Sequence, residues 1–106
     1  MKKWTDRHAE TRKKLDETLL AFRVARTAAG ETEGWLRAVR QAVGIPVDEV
    51  ARRMGVCRWE VFRLEKSESA SRIMLGTLRR AATALDCELV YALAPREGTL
   101  EELAAF

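Results

Sequence analysis

The sequence predicts an all-α protein of short helices carrying one short β-strand near its C-terminus, and three observations predict it. Apolar residues recur at spacings of three and four in successive stretches, the period of helices with one buried face. Gly44 and Gly55 punctuate those stretches at places where a helix can stop and the chain can bend. One late segment, CELVYALAP at 87–95, changes to a period of two. With 106 residues, 47% of them hydrophobic, the chain can bury one core but hardly two, so a single domain with short appendages is expected.

In order, residues 4–28 read as one amphipathic helix, because Trp4, His8, Thr11, Leu15, Leu19, Phe22 and Arg26 keep helical spacing. Residues 1–30 form an N-terminal helix and arm. The polar, glycine-bearing stretch TAAGETEG at 27–34 breaks the helix and marks a linker. A second helix begins near Gly34, shows Trp35, Leu36, Val39 and Val43 on one side, and stops at Gly44. Pro46 suits the start of the next, since its missing N–H would have no partner in a first turn anyway. Helices are expected at 47–54, 57–67 and 75–85, completing a unit over 34–86. In the strand, Cys87, Leu89, Tyr91 and Leu93 alternate with Glu88, Val90, Ala92 and Ala94 until Pro95; a helix competes here, because Leu and Ala favour it. Residues 96–106 form an acidic tail.

Charge is uneven. The net of +3 conceals +4 over residues 1–14, +3 over 34–66 and −3 over 97–106. Concentrated positive charge suits a polyanion, and it also occurs on solvated helices. The charged N-terminus has no apolar segment behind it, and no run approaches membrane-spanning length, so a cytoplasmic protein with no membrane contact is expected. Cys57 and Cys87 are too few and too far apart for a disulfide framework, and both are expected to be small buried or half-buried thiols. The lone histidine, His8, has no nucleophile or carboxylate placed to act with it. Neither a catalytic site, a zinc site nor a cofactor is expected.

The chemistry concentrates in ARRMGVCRWEVFRLEK, residues 51–66. Two short helices cross steeply only where the turn is sharp and the contact small. Gly55 permits positive φ, and Ala51, one turn earlier, leaves room for the second helix. Val50, Met54, Val56, Val61 and Leu64 face inward. At about 100° per residue, Leu64 and Cys57 fall beside Val61 on the inner side, whereas Trp59, Phe62, Arg63 and Lys66 point outward and Glu60 lies on the flank. Two exposed aromatics among cations mark an interaction surface; packing against the N-terminal helix or against a protein partner is the competing reading of Trp59 and Phe62.

This pattern resembles the helix-turn-helix of the lambda-repressor and Cro-like proteins, also called the xenobiotic-response-element family. The resemblance implies a lambda-repressor-like domain that binds double-stranded DNA, with the outer face of the second motif helix in the major groove. Arg58 matches a base-reading position. Trp59 and Phe62 are placed to pack on thymine methyls and sugars, Arg63 and Lys66 to reach bases or phosphates, and Arg52 and Arg53 to touch the backbone. Arg40 and Glu65 match a buried or half-buried pair that ties the first helix of the domain to the recognition helix. Where the family usually has a polar cap and a glutamine that bonds phosphate, this chain has Pro46 and Val47.

A narrower likeness covers the chain from about Lys14 onward. GWLRAVRQAVGIPVDEVARRMGV, LGTLRRAATALDCELVYALAP and TLEELA are similar to mobile mystery protein A, a set of bacterial helix-turn-helix proteins. That likeness implies a regulator, a repressor or antitoxin, paired with a Fic-domain protein. The helix by which Fic inhibitors block a nucleotide site has Ser or Thr, three residues, then Glu followed by Gly or Asn; Thr27 and Glu31 fit, but Thr32 follows, so that device is not matched. A strand alone leaves backbone groups unpaired, which two chains can satisfy together. A homodimer is therefore expected, with Leu89, Tyr91 and Leu93 closing onto the helices.

Overall fold

A computed structural model describes residues 7–28 and 34–105. The first six residues of the basic arm, including Trp4, lie outside the described residues. So do linker residues 29–33, and with them most of the Thr27–Thr32 stretch. Six helices occur among the described residues: α1 (Ala9–Ala28), α2 (Trp35–Val43), α3 (Val47–Met54), α4 (Arg58–Ser69), α5 (Leu75–Ala84) and α6 (Leu100–Ala104). The protein is mostly helical, and none of these helices is long and apolar enough to cross a membrane. The chain divides into two compact units, residues 32–90 and a second formed by residues 1–31 with 91–106.

In the first unit, α2 to α5 surround one core of Leu36, Val50, Ala51, Val61, Leu64, Ala81, Ala84 and Leu85. Removing such Val and Leu side chains from water stabilises the fold by roughly 1.5–3 kcal/mol each. Half-buried Met54, Val56, Ile73 and Leu78 extend this core. Ala51 is 5% exposed, and its small side chain lies where α3 meets α4.

Helices α3, α4 and α5 stop by one device. At the end of α3, Gly55 turns left-handed with φ 70°, Val56 N–H donates to the Ala51 carbonyl at 3.0 Å, and Gly55 N–H donates to that of Arg52 at 3.2 Å. These are the two bonds of a Schellman motif, which satisfies carbonyls that a helix end leaves free. Ser71 (φ 58°) and Asp86 (φ 59°) end α4 and α5 in the same way, with Arg72 N–H on the Ser67 carbonyl and Cys87 N–H on that of Ala82. The start of α2 is closed from a distance. Both oxygens of Glu68, late in α4, accept from the Trp35 and Leu36 N–H groups at 3.0 and 2.8 Å.

The second unit holds α1 against the C-terminal segment through a polar face. Arg12 donates twice to Glu101, at 2.7 and 3.2 Å, and Asp16 accepts from the backbone N–H groups of Leu100 and Glu101. Arg23 donates to the Gly98 carbonyl at 3.1 Å, and Arg26 donates to that of Pro95. Leu19 is buried between these polar contacts along the helix. The expected apolar stripe is corrected accordingly: Leu15 is 46% exposed, because the positions that meet the tail are Arg12, Asp16, Leu19, Arg23 and Arg26.

Two further expectations are not met within the single chain. No strand occurs among the described residues; residues 87–95 run without helix or ladder. Their alternation is a local pattern, whereas a strand exists only when its N–H and C=O groups meet a partner, and residues 88–94 form no backbone–backbone hydrogen bond with any described residue. Tyr91 and Leu93 accordingly do not close onto helices: they are exposed, Leu93 at 91%, and of the three only Leu89 is half-buried. Both cysteines are exposed rather than buried. Cys57 precedes the first turn of α4 with φ −79° and ψ 161°, so the 100° step that placed it beside Val61 does not apply to an extended residue.

Candidate nucleic-acid interface

The side chains of interest occupy the outside of α4, and the inside of the same helix explains why. Val61, Leu64 and Glu65 are buried, which leaves Trp59, Phe62, Arg63 and Lys66 on solvent. Trp59 is 71% and Phe62 39% exposed. Their ring centroids lie 5.9 Å apart at 44°, an offset tilted pair, and the Arg58 guanidinium carbon sits 5.8 Å from the Trp59 ring centre. That distance is within cation–π range. The result is an aromatic platform edged by positive charge.

Carboxylates temper that charge. Arg63 donates to both oxygens of Glu60, three residues back, at 2.8 and 2.6 Å, and Arg58 lies 3.5 Å from Asp48 of α3. Glu49 accepts two bonds from Arg52, at 2.9 and 2.6 Å, and one from Arg53 at 2.9 Å. The Arg52 and Arg53 bonds hold the Glu49 carboxyl at about 2, well below the usual carboxylate value of 4.5. The Arg63 bond likewise lowers Glu60. Arg53 also donates to the Ala84 carbonyl at 2.8 Å, capping the end of α5, so the two arginines differ. Arg52 faces solvent, while Arg53 ties α3 to α5.

Arg40 and Glu65 come together as a bidentate pair at 2.6 and 3.1 Å, with side chains only 12% and 8% exposed, and they join α2 to α4. Above this pair lies an open groove of about 610 Å³, whose walls include Arg37 and Gln41 of α2 and Phe62 and Lys66 of α4. Arg37 and Gln41 were missed by the sequence reading, which weighed the outer face of α4 and not its neighbour. Their one signal was an i, i+4 spacing astride Arg40. At the start of α3, Val47 packs against the core instead of offering a polar group, and Pro46 is exposed with φ −65°.

Sequence-predicted residues therefore separate into three groups. Arg58, Trp59, Phe62, Arg63 and Lys66 share one exposed surface. Arg40, Glu65, Ala51 and Gly55 build the corner that presents it, and Arg52 and Arg53 flank it on α3. Among the described residues no group of His, Cys, Asp and Glu is arranged to hold a metal ion. No family model, curated protein or solved structure matches the chain.

Proposed function

We propose that this chain is a sequence-specific DNA-binding transcriptional regulator acting as a homodimer, with α3, its turn and α4 serving as a helix-turn-helix. The observation that carries the reading is the outer face of α4, where Arg58, Trp59, Phe62, Arg63 and Lys66 stand exposed on a helix whose other side is anchored in the core. A helix of this length fits the major groove, where Arg58 would hold a guanine through its two acceptors while the aromatics cover thymine methyls and sugars. The likeness to the lambda-repressor and Cro-like proteins supports the same assignment. The likeness to mobile mystery protein A extends it to an autorepressor and antitoxin paired with a Fic-domain protein.

The homodimer rests on residues 88–94, whose backbone groups form no backbone–backbone hydrogen bond with any described residue. Pairing this segment with its copy would form the missing strand and set two recognition helices about one DNA turn apart, ~34 Å.

Footprinting on the DNA upstream of the gene tests the proposal. Wild type should protect a two-fold symmetric site, and Arg58→Ala should lose ~1–3 kcal/mol at one base position of each half-site. Absence of protection on every duplex at low salt would sink the reading, and equal loss on all sequences would remove Arg58 from base recognition.

A second reading, a module that neutralises a partner protein with DNA binding incidental, draws on the exposed Leu15 and Leu20 of α1 and Leu103 of α6. Co-purification with the neighbouring gene product that survives Trp59→Ala but not Leu15→Glu with Leu20→Glu would favour it.

A further inference from the structure

Among the described residues, the arginines beside the aromatic platform are already matched to carboxylates. Arg52 and Arg53 share Glu49, Arg58 lies against Asp48, and Arg63 is clamped by Glu60. The groove between α2 and α4 is different. Its half-buried Arg40 is neutralised by Glu65, but Arg37 and Lys66 face it with no ion pair to a described residue, and the exposed Gln41 adds amide donors. The wall completed by Phe62 adjoins Trp59, so the groove continues the platform.

Unmatched positive charge, amide donors and an aromatic wall together suit a sugar–phosphate backbone. Bases would meet the platform, where charge is already balanced and shape decides. We infer that the α2–α4 groove is the phosphate-binding part of the interface, with Arg37 and Gln41 of α2 acting with Lys66 of α4 to hold a phosphodiester of duplex DNA. This rests on the DNA-binding reading and adds to it a contact set on a helix outside the motif. It also supplies phosphate contacts at a different place from the start of α3, where Val47 has none to offer.

The test is fluorescence anisotropy of the full chain with a labelled duplex from its own upstream region and with an unrelated duplex, at stepped KCl. Arg37→Ala with Gln41→Ala should weaken binding to both duplexes by the same factor and reduce the slope of log affinity against log salt by ~1, the release expected for one phosphate. Arg79→Ala is the control, because Arg79 is an exposed cation on α5 outside the groove, and it should leave the slope unchanged. Both replaced groove residues are exposed, so melting should be preserved. If the double variant melts early, Arg37→Gln, which removes charge alone, carries the same expectation. An unchanged slope while wild type binds overturns the groove and leaves the DNA-binding reading standing; an equal fall with Arg79→Ala also overturns it. A wild type that binds neither duplex defeats the DNA-binding reading itself and the occupant assigned to the groove.

Discussion

Glu60 is the side chain on α4 least suited to lie near DNA. Its carboxylate holds Arg63 through two short bonds, and that contact keeps it ionised by drawing its pKa below the usual range. Against phosphates the same charge opposes binding. Glu60→Gln should therefore tighten duplex binding by about fivefold or less, as expected for a solvent-screened surface charge. Anisotropy titration at fixed salt measures this, and weaker binding would mean that Arg63 needs its clamp more than the interface needs the lost charge. Glu49 offers a test in pH. Its pKa of about 2 lies below the ordinary 4.5, chiefly through hydrogen bonds from Arg52 and Arg53, so its folded-state advantage is complete above 4.5 and disappears as pH falls toward 2. Urea unfolding of wild type and Glu49→Gln should differ at pH 6 and converge near pH 2; a constant gap would contradict the assignment.

Elements are held by single long-range contacts as much as by their own sequence. Arg40 and Glu65 join α2 to α4 in a nearly closed setting, so Glu65→Ala leaves an uncompensated buried guanidinium and should cost ~3–5 kcal/mol, measured by urea denaturation. Arg40→Met with Glu65→Leu should cost much less, because neither charge then remains. A small effect of Glu65→Ala would mean that Arg40 reaches water when released. The pair itself was expected only from the likeness to the lambda-repressor and Cro-like proteins, whereas helices α2 to α5 around it were legible in the sequence because apolar spacing and glycine stops agree there. Elsewhere they do not. The face of α1 that packs is largely charged, so a search for apolar stripes chose Leu15 over Asp16. The five-residue α6 has too few turns to show a period, and it depends on Thr99, whose side chain accepts from Glu102 N–H, and on Asp16 from another element. Cys57 was misplaced because a helical angle was carried one residue past the helix start. The surface itself was readable, since exposure follows from the core side of α4. Its ion pairs and the α2 groove were not, because they depend on which carboxylate each arginine reaches.

For the whole molecule the deciding question is what becomes of residues 88–94. Seven consecutive residues carry hydrogen-bonding groups that no other part of the described chain satisfies, and Tyr91 and Leu93 stand exposed beside them. Water can satisfy such groups, but water does not explain two large apolar side chains left on the same segment. A second copy would account for both, because antiparallel pairing would satisfy the groups along the shared edge and bring Tyr91 and Leu93 against the paired segment. Ala92→Pro removes one donor and fixes φ without touching either apolar residue, so it acts on pairing rather than on hydrophobic area. Light scattering after size exclusion should show wild type as a dimer and this variant as a monomer with unchanged helical circular dichroism. The monomer should lose most of its affinity for a symmetric two-half-site duplex and little for an isolated half-site, since only linked recognition helices gain from binding twice. A monomeric wild type, or a dimer indifferent to the proline, would assign residues 88–94 to solvent and require the symmetry of any operator to arise from another surface.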